Sequence, residues 1–129
     1  GYGLSNEGII KTLHKLRPPF NITNLSLKMA TLALQDQAHV QKCIVKNFEE
    51  MNKYEQFCED KKIGYIKSYT NFITIAFDDA ISSKNIAQKL LREGVIVRDL
   101  SSYQYNAIRV TIGQEWQNEK VISYLRSMI

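Results

Sequence analysis

The chain has little cysteine and proline and no long apolar run, and these shortages restrict what it can be. Its two cysteines, Cys43 and Cys58, are too few for a disulfide framework in 129 residues. Both fall on one predicted helix, where about 1.5 Å of rise per residue separates them by roughly 22 Å. A disulfide needs Cα atoms within about 7 Å, so we expect two reduced thiols and a cytoplasmic protein.

Clustered positive charge and ligand-binding motifs are also missing. Lysine and arginine number 17 against 13 acidic residues, a net charge of +4, but they are scattered along the chain. Without a basic cluster and interleaved aromatic residues, we expect no nucleic-acid partner. No stretch approaches the ~18 consecutive apolar residues of a membrane span, and no signal peptide is evident, so we expect no membrane partner. His14 and His39 are isolated and are interpreted as surface residues, and no metal site is predicted.

Three helices are predicted in the first half of the chain. The first runs to about Leu16, where Pro18-Pro19 ends it. The second follows a cap at Asn24, and a break near Asp36-Gln37 separates it from a long helix that ends near Lys62. Apolar residues recur along the long helix at intervals of three or four and predict one buried stripe: Val40, Ile44, Phe48, Met51, Tyr54 and Cys58.

The second half of the chain alternates short apolar runs with two amphipathic helices. Strands are predicted at 63–68, 72–77, 95–98 and 107–112. A helix between the second and third strands begins at Ser82 or Ser83 and ends at Gly94, which we expect in a left-handed conformation. The order predicts an α+β fold with an antiparallel-rich sheet of three or four strands and helices on one face. The inward positions of the two helices are predicted as Ile86, Leu90, Leu91, Trp116, Val121, Ile122 and Leu125.

Two arginines stand in the apolar runs near the end of the chain. Arg98 ends the run GVIVR, and Arg109 lies inside IRVTIG. A guanidinium in a buried strand needs an anionic partner, because desolvating an unpaired charge is costly. The pair therefore suggests a place that holds a substrate with two anionic groups. The alternative is that each arginine pairs with a structural carboxylate such as Asp99.

Five segments in order along the chain carry a family resemblance. They are GYGL at 1–4, LRPPFN at 16–21, SYTNF at 68–72, GVIVRDL at 94–100 and IRVTIG at 108–113. Together they resemble the C-terminal part of histidinol-phosphate aminotransferases, which are pyridoxal-phosphate (PLP) enzymes of fold type I. The resemblance implies that 36–129 form the small C-terminal domain, including the long linking helix. Residues 1–35 are then a remnant of the large PLP domain and linker, whose exposed apolar faces predict self-association or disorder.

The resemblance also implies roles for individual residues. Arg109 matches the arginine that binds the substrate α-carboxylate, and Arg98 matches the arginine near the distal anion. Histidinol phosphate has no α-carboxylate, so Arg109 would serve the half-reaction of glutamate and 2-oxoglutarate. Asn21 and Asn71 lie in matching motifs and would support the substrate-binding residues or position the backbone.

The lysine that forms the Schiff base with PLP would lie upstream of Gly1 in this family. We therefore expect this chain to bind no PLP by itself and to be inactive in isolation, as a fragment of a larger enzyme. Its partners would be small-molecule amino donors and acceptors, and the full-length family forms homodimers. Two alternatives stay open: a non-catalytic binding or oligomerisation module left after loss of the PLP domain, and a fragment of the related phospho-threonine decarboxylase.

Overall fold

Helices fill the first half of the chain, and a four-stranded sheet with two further helices fills the second. The computed structural model describes residues 3–129, so Gly1-Tyr2 of the first resembling segment lies outside the described residues. None of the helices described is both long and apolar enough to cross a membrane. The elements are α1 (Glu7–Leu16), α2 (Asn24–Gln35), α3 (Gln37–Lys61), β1 (Gly64–Ile66), β2 (Phe72–Ala76), α4 (Ser83–Arg92), β3 (Arg98–Asp99), β4 (Ala107–Thr111) and α5 (Glu115–Met128).

The order of these elements confirms the predicted one, and the chain divides into two compact units. The first unit is Gly1–Val40 and the second is Gln41–Ile129. The division falls inside α3, five residues beyond the boundary predicted at residue 35. The origin of residues 1–35 in a large PLP domain and its linker stays a prediction.

The helices of the first unit begin at polar caps and bury none of their residues. Oδ1 of Asn6 accepts a hydrogen bond from the Ile9 amide at 3.0 Å, which caps α1. Thr23, and not Asn24 as predicted, caps α2 by accepting from the Ser26 amide at 3.1 Å. The predicted apolar exposure is confirmed on both helices. The exposed large apolar side chains of this unit are Leu4, Ile9, Leu13, Leu16, Phe20, Ile22, Leu25, Leu27, Met29, Leu32 and Leu34.

The sheet of the second unit has the strand order β1-β2-β4-β3, and its described pairs are all antiparallel. One face is covered by α3, α4 and α5, which confirms the predicted α+β arrangement. Side chains alternate between the two faces of a strand, so the inward positions recur every second residue. The buried core comprises Met51, Tyr54, Phe57, Cys58, Ile73, Ile75, Phe77, Ile86, Leu90, Ile108, Val110, Val121 and Leu125.

Several residues that were predicted to be inward are exposed. Only the C-terminal half of α3 packs on the sheet, so Ile44 and Phe48 stay exposed while Met51 is buried. Leu91 is 58% exposed because each helical residue turns about 100° from its neighbour, and Leu90 takes the inward position. Trp116, which is 61% exposed, lies in the first turn of α5.

The third strand is shorter than the sequence indicated. Pairing with β4 begins only at Arg98, although 95–98 was predicted as the strand. Gly94 has φ +75°, which confirms the left-handed end of α4, and the Val95 amide bonds back to the Leu90 carbonyl at 2.9 Å. This turn keeps the following residues close to the end of α4 and delays the ladder. The chain then reaches the sheet edge at Arg98.

The two cysteines lie on α3 as predicted, and no disulfide joins them. Cys43 is exposed, whereas Cys58 belongs to the core. Burial, and then the charges of Glu55 and Glu59, raise the pKa of the Cys58 thiol to about 12. The Cys58 side chain therefore behaves as a small apolar core residue.

Candidate functional site

Arg98 and Arg109 lie directly opposite each other in the β3–β4 pair. The antiparallel register matches Arg98 with Arg109 and Asp99 with Ile108. Residues opposite each other share a face of the sheet, with Cβ atoms about 4.5–5.5 Å apart. Two positive side chains therefore project together from the face that the helices leave uncovered.

Strand β4 is mostly buried, but the two arginine side chains are not, so the expectation that their guanidinium groups are desolvated is wrong. Arg109 is exposed because it alternates with the inward residues Ile108 and Val110 of β4. Arg98 is exposed because it lies opposite Arg109 on the same face. The alternative pairing with Asp99 is not formed either, since Asp99 follows Arg98 directly and points to the opposite face. The ion pairs found within residues 3–129 involve other cations, so neither arginine has a carboxylate partner there.

The guanidinium of Arg109 lies over the ring of an aromatic residue. Its Cζ is 4.8 Å from the centroid of the Phe72 ring. Thr74 is the direct partner of Arg109 in β2, so Phe72 occupies the diagonal position on the same face. A guanidinium held over a ring by a cation–π contact keeps its N–H donors, which can bind a carboxylate with two parallel bonds.

Arg98 has a tyrosine as its partner. Its Nη2 donates a hydrogen bond to the hydroxyl oxygen of Tyr103 at 2.9 Å, and its Cζ is 5.9 Å from the ring centroid. Tyr103 is 64% exposed and lies in the connection between the two arginine-bearing strands. Sequence reasoning assigned no role to this residue, although an aromatic residue between two arginine strands was a usable signal.

The connection that carries Tyr103 is a compact turn. Residues Ser101–Tyr103 form a 3-10 helix, and Gln104 closes it with φ +58°. Asp99 accepts hydrogen bonds from the Ser101 amide at 3.1 Å and from the Ser83 hydroxyl at 3.0 Å. Hydrogen bonds from Ser101, with the one from Ser83, hold the pKa of the Asp99 carboxyl below its usual range. Asp99 thus ties the turn to the start of α4.

The side chain of Asn106 fixes the loop beside this turn. Its Nδ2 donates to the carbonyls of Asp78 and Ile81, both at 2.8 Å. Its Oδ1 accepts from the Ser83 amide at 2.9 Å. One amide side chain therefore joins the entry of β4 to the loop between β2 and α4.

The two asparagines implied by the resemblance lie in different units. Asn21 is exposed in the first unit, and Asn71 is exposed just before β2 in the second. The backbone carbonyl of Asn71 accepts from the Ile112 amide at 2.9 Å, which extends the pairing of β2 and β4. The prediction that these residues support the site stays a prediction.

A buried polar cluster holds the far end of β4, and sequence reasoning did not find it. The Asn118 side chain bonds to both the amide and the carbonyl of Gly113, each at 2.9 Å, and donates to Oε2 of Glu50 at 2.8 Å. The Tyr54 hydroxyl donates to the Asn118 oxygen at 3.2 Å, and Lys53 pairs with Oε1 of Glu50 at 2.8 Å. These bonds fix the strand that carries the second arginine of the site.

The electrostatics of this cluster depend on Glu50. Burial alone would raise the pKa of the Glu50 carboxyl, but hydrogen bonds from Lys53 and Asn118 outweigh it and lower the pKa below its ordinary value. The carboxylate therefore stays ionised in the fold.

The sheet face that carries Arg98, Arg109, Phe72 and Thr74 is called the arginine face. A Schiff base requires a lysine amino group, and none of the strand residues on this face is lysine. The strand residues of this face therefore do not supply the nitrogen of a Schiff base.

The chain belongs to the class I and II aminotransferases, whose family model matches residues 1–125. The resemblance to histidinol-phosphate aminotransferases is also confirmed. The chain is 52% identical over 129 residues to the histidinol-phosphate aminotransferase of Campylobacter hominis, which covers 100% of this chain and 35% of that relative. It is 55% identical to that of Aliarcobacter butzleri with the same coverage. The chain thus spans about a third of the length of the curated relatives it matches.

Solved structures share the fold. The histidinol-phosphate aminotransferase of Clostridium acetobutylicum superposes with a TM-score of 0.80 at 20% identity, over 95% of this chain and 38% of that one. That of Sinorhizobium meliloti, solved in complex with pyridoxal-5'-phosphate, gives 0.77 at 20% identity, over 95% of this chain and 35% of that one. The L-threonine-O-3-phosphate decarboxylase of Porphyromonas gingivalis gives 0.70 at 16% identity, over 97% of this chain and 40% of that one.

Proposed function

We propose that this chain supplies the substrate-anion-binding arginines of a PLP-dependent aminotransferase. The enzyme would transfer an amino group between histidinol phosphate, or a similar amino compound, and 2-oxoglutarate or glutamate. The observation that carries the proposal is the direct pairing of Arg98 with Arg109 on the uncovered face of the sheet. The cofactor, which supplies electron withdrawal from the substrate nitrogen, would be held by parts of the enzyme beyond this chain.

An anion between or beside the paired arginines would offset the repulsion between their charges. Like charges directly opposite in a sheet are destabilising, by a few tenths of a kcal/mol to about 1 kcal/mol. No carboxylate of residues 3–129 offsets this repulsion through an ion pair with either arginine. A substrate with two anionic groups would offset it on binding. The electrostatic cost is therefore recovered when the substrate is present, and the site is complementary to a dianion.

The two arginines would bind different groups. Arg109, held over the Phe72 ring, is suited to two parallel bonds with the α-carboxylate of glutamate or 2-oxoglutarate. Arg98, at the sheet edge, would bind the distal anion: the phosphate of histidinol phosphate or the side-chain carboxylate of glutamate. Holding both ends of the substrate fixes its orientation, which converts binding energy into correct geometry for reaction.

A test uses a chimeric enzyme in which this chain replaces the matching residues of the Campylobacter hominis relative. Arg109→Ala should raise the KM for glutamate roughly 30-fold or more, since about 2 kcal/mol of charge-assisted bonding is lost. The same variant should affect the KM for histidinol phosphate much less. Arg98→Ala should raise the KM for both donors. The measurement is steady-state transamination with each donor.

Arg92→Ala is the matched control, because Arg92 is an exposed arginine in the last turn of α4, outside the arginine face. It should leave both KM values unchanged. Equal behaviour of all three variants would contradict the assigned roles. A folded chimera without transaminase activity, beside an active parent relative, would contradict the aminotransferase assignment of this chain.

The alternative function is that of a phospho-threonine decarboxylase, because the L-threonine-O-3-phosphate decarboxylase of Porphyromonas gingivalis shares this fold. Product analysis of the chimera with O-phosphothreonine separates the two. Release of carbon dioxide without consumption of 2-oxoglutarate would favour the decarboxylase.

A further inference from the structure

We propose that Tyr103 determines the preference of the distal anion site for a phosphate group over a carboxylate. The inference rests on the proposed function, in which Arg98 binds the distal anion. Tyr103 contacts Arg98 directly and is exposed beside it. It is therefore a component of the anion site and not only part of a loop.

The hydrogen bond between Arg98 and Tyr103 leaves the O–H of Tyr103 available as a donor. The Tyr103 oxygen accepts from Nη2 of Arg98, so its own O–H is not used in that bond. The hydrogen bonds found within residues 3–129 give this O–H no acceptor, and the ring is open to solvent. Arg98 retains four further N–H donors. An anion bound at the guanidinium would thus find the tyrosine hydroxyl next to it.

The number of oxygens on the anion decides how much the hydroxyl adds. A carboxylate has two oxygens, and the fork of a guanidinium satisfies both. A phosphate monoester presents three terminal oxygens and about two negative charges near neutral pH. After the fork has engaged two of them, the third can accept the Tyr103 hydroxyl. Tyr103 should therefore stabilise bound phosphate and contribute little to a bound carboxylate.

The turn presents Tyr103 in a fixed place, which makes the contact repeatable. The Tyr103 amide bonds to the Leu100 carbonyl at 2.9 Å, and the Gln104 amide bonds to the Ser101 carbonyl at 3.0 Å. The Leu100 amide bonds in turn to the Ala107 carbonyl at 3.0 Å, which closes the connection onto β4. The backbone that carries Tyr103 thus requires little ordering when an anion arrives.

The test is a titration of the 129-residue chain with inorganic phosphate and, separately, with acetate. Binding is followed by NMR on the arginine side-chain N–H signals. Tyr103→Phe should weaken phosphate binding by about 10-fold or more, the effect of one lost hydrogen bond to a charged group, and leave acetate binding unchanged. Tyr105→Phe is the matched control, because this tyrosine lies in the same connection and should change neither. Equal unfolding midpoints of the two variants would exclude a merely structural effect.

The outcomes distinguish a wrong role for Tyr103 from a wrong anion site at Arg98. If Arg98→Ala abolishes phosphate binding while Tyr103→Phe behaves like Tyr105→Phe, the role of Tyr103 is wrong and the arginine site stands. If Tyr103→Phe weakens phosphate and acetate equally, the hydroxyl does not discriminate and the inference is also wrong. If phosphate gives no saturable change, or Arg98→Ala has no effect, the anion site itself is wrong.

Discussion

The two arginines show what a residue pattern can and cannot predict. The sequence predicts a two-anion site at Arg98 and Arg109, and the strand register places the two arginines opposite each other on one face of the sheet. Their exposure was not predictable from the runs alone, because a one-residue shift in register exchanges the two faces of a strand. The same alternation sends Asp99 towards α4 and away from the arginines.

Residues whose roles depend on distant partners escaped sequence reasoning. Asn118 and Glu50 are 68 positions apart in the chain and are joined by a 2.8 Å hydrogen bond. Nothing local marks either as buried, since glutamate and asparagine are mostly exposed residue types. Tyr103 differs, because its partner Arg98 is only five positions away and the loop itself carried the signal.

Glu50 should make stability depend on acid pH. Its pKa in the fold is lowered, so its contribution is present above the ordinary value of 4.5 and is lost as pH falls through the folded pKa. Glu50→Gln should therefore be less stable than the wild type near neutral pH. It should also lose less of its free energy of unfolding on acidification. Urea unfolding at about pH 6 and about pH 3 measures both.

The adjacent Glu49 is exposed and provides the control. Glu49→Gln should reproduce the pH dependence of the wild type. A parallel loss of stability in wild type and Glu50→Gln would show that the Glu50 carboxylate does not stabilise the fold.

At the scale of single elements, helix α4 offers a paired comparison. Leu90 is fully buried and Leu91 is 58% exposed, although both were predicted inward. Leu90→Ala should lower the free energy of unfolding by about 2–5 kcal/mol, since it removes core contacts and leaves a cavity. Leu91→Ala should change it by less than about 0.5 kcal/mol. Denaturant unfolding of both variants decides, and equal losses would mean that α4 is rotated from the described orientation.

Periodicity located the elements well but did not reveal which parts of them are covered. The stripe on α3 is continuous from Val40 to Cys58, yet burial begins only near Met51, where the sheet lies alongside. A helical stripe states which face is apolar and not how far the packing partner extends. The delayed start of β3 has a similar origin, since the turn at Gly94 belongs to α4 and not to the strand.

At the scale of the whole chain, the order of elements and the α+β class were predictable, because turn residues and periodicity mark them locally. Periodicity and turn residues did not reveal the length of the relatives, which are about three times as long as this chain. The first unit illustrates the consequence: α1 and α2 carry apolar faces but bury none of their residues.

These faces should cause the isolated chain to self-associate. Sedimentation velocity should show assembly that increases with concentration. Leu25→Glu combined with Leu32→Glu should reduce it, because both exposed leucines lie on one face of α2, seven positions apart. Lys28→Glu, which makes the same change in charge without removing apolar surface, should not. A wild-type chain that stays monomeric at every concentration would contradict the prediction.

The two edge strands of the sheet are unusually short. Its outer strands are β1, with three residues, and β3, with two. Another polypeptide could add only a few ladder bonds to either side, which is too little for a template of cross-β growth. The folded sheet therefore offers little edge for growth by addition of strands from other copies, so association of this chain should proceed through its exposed helices.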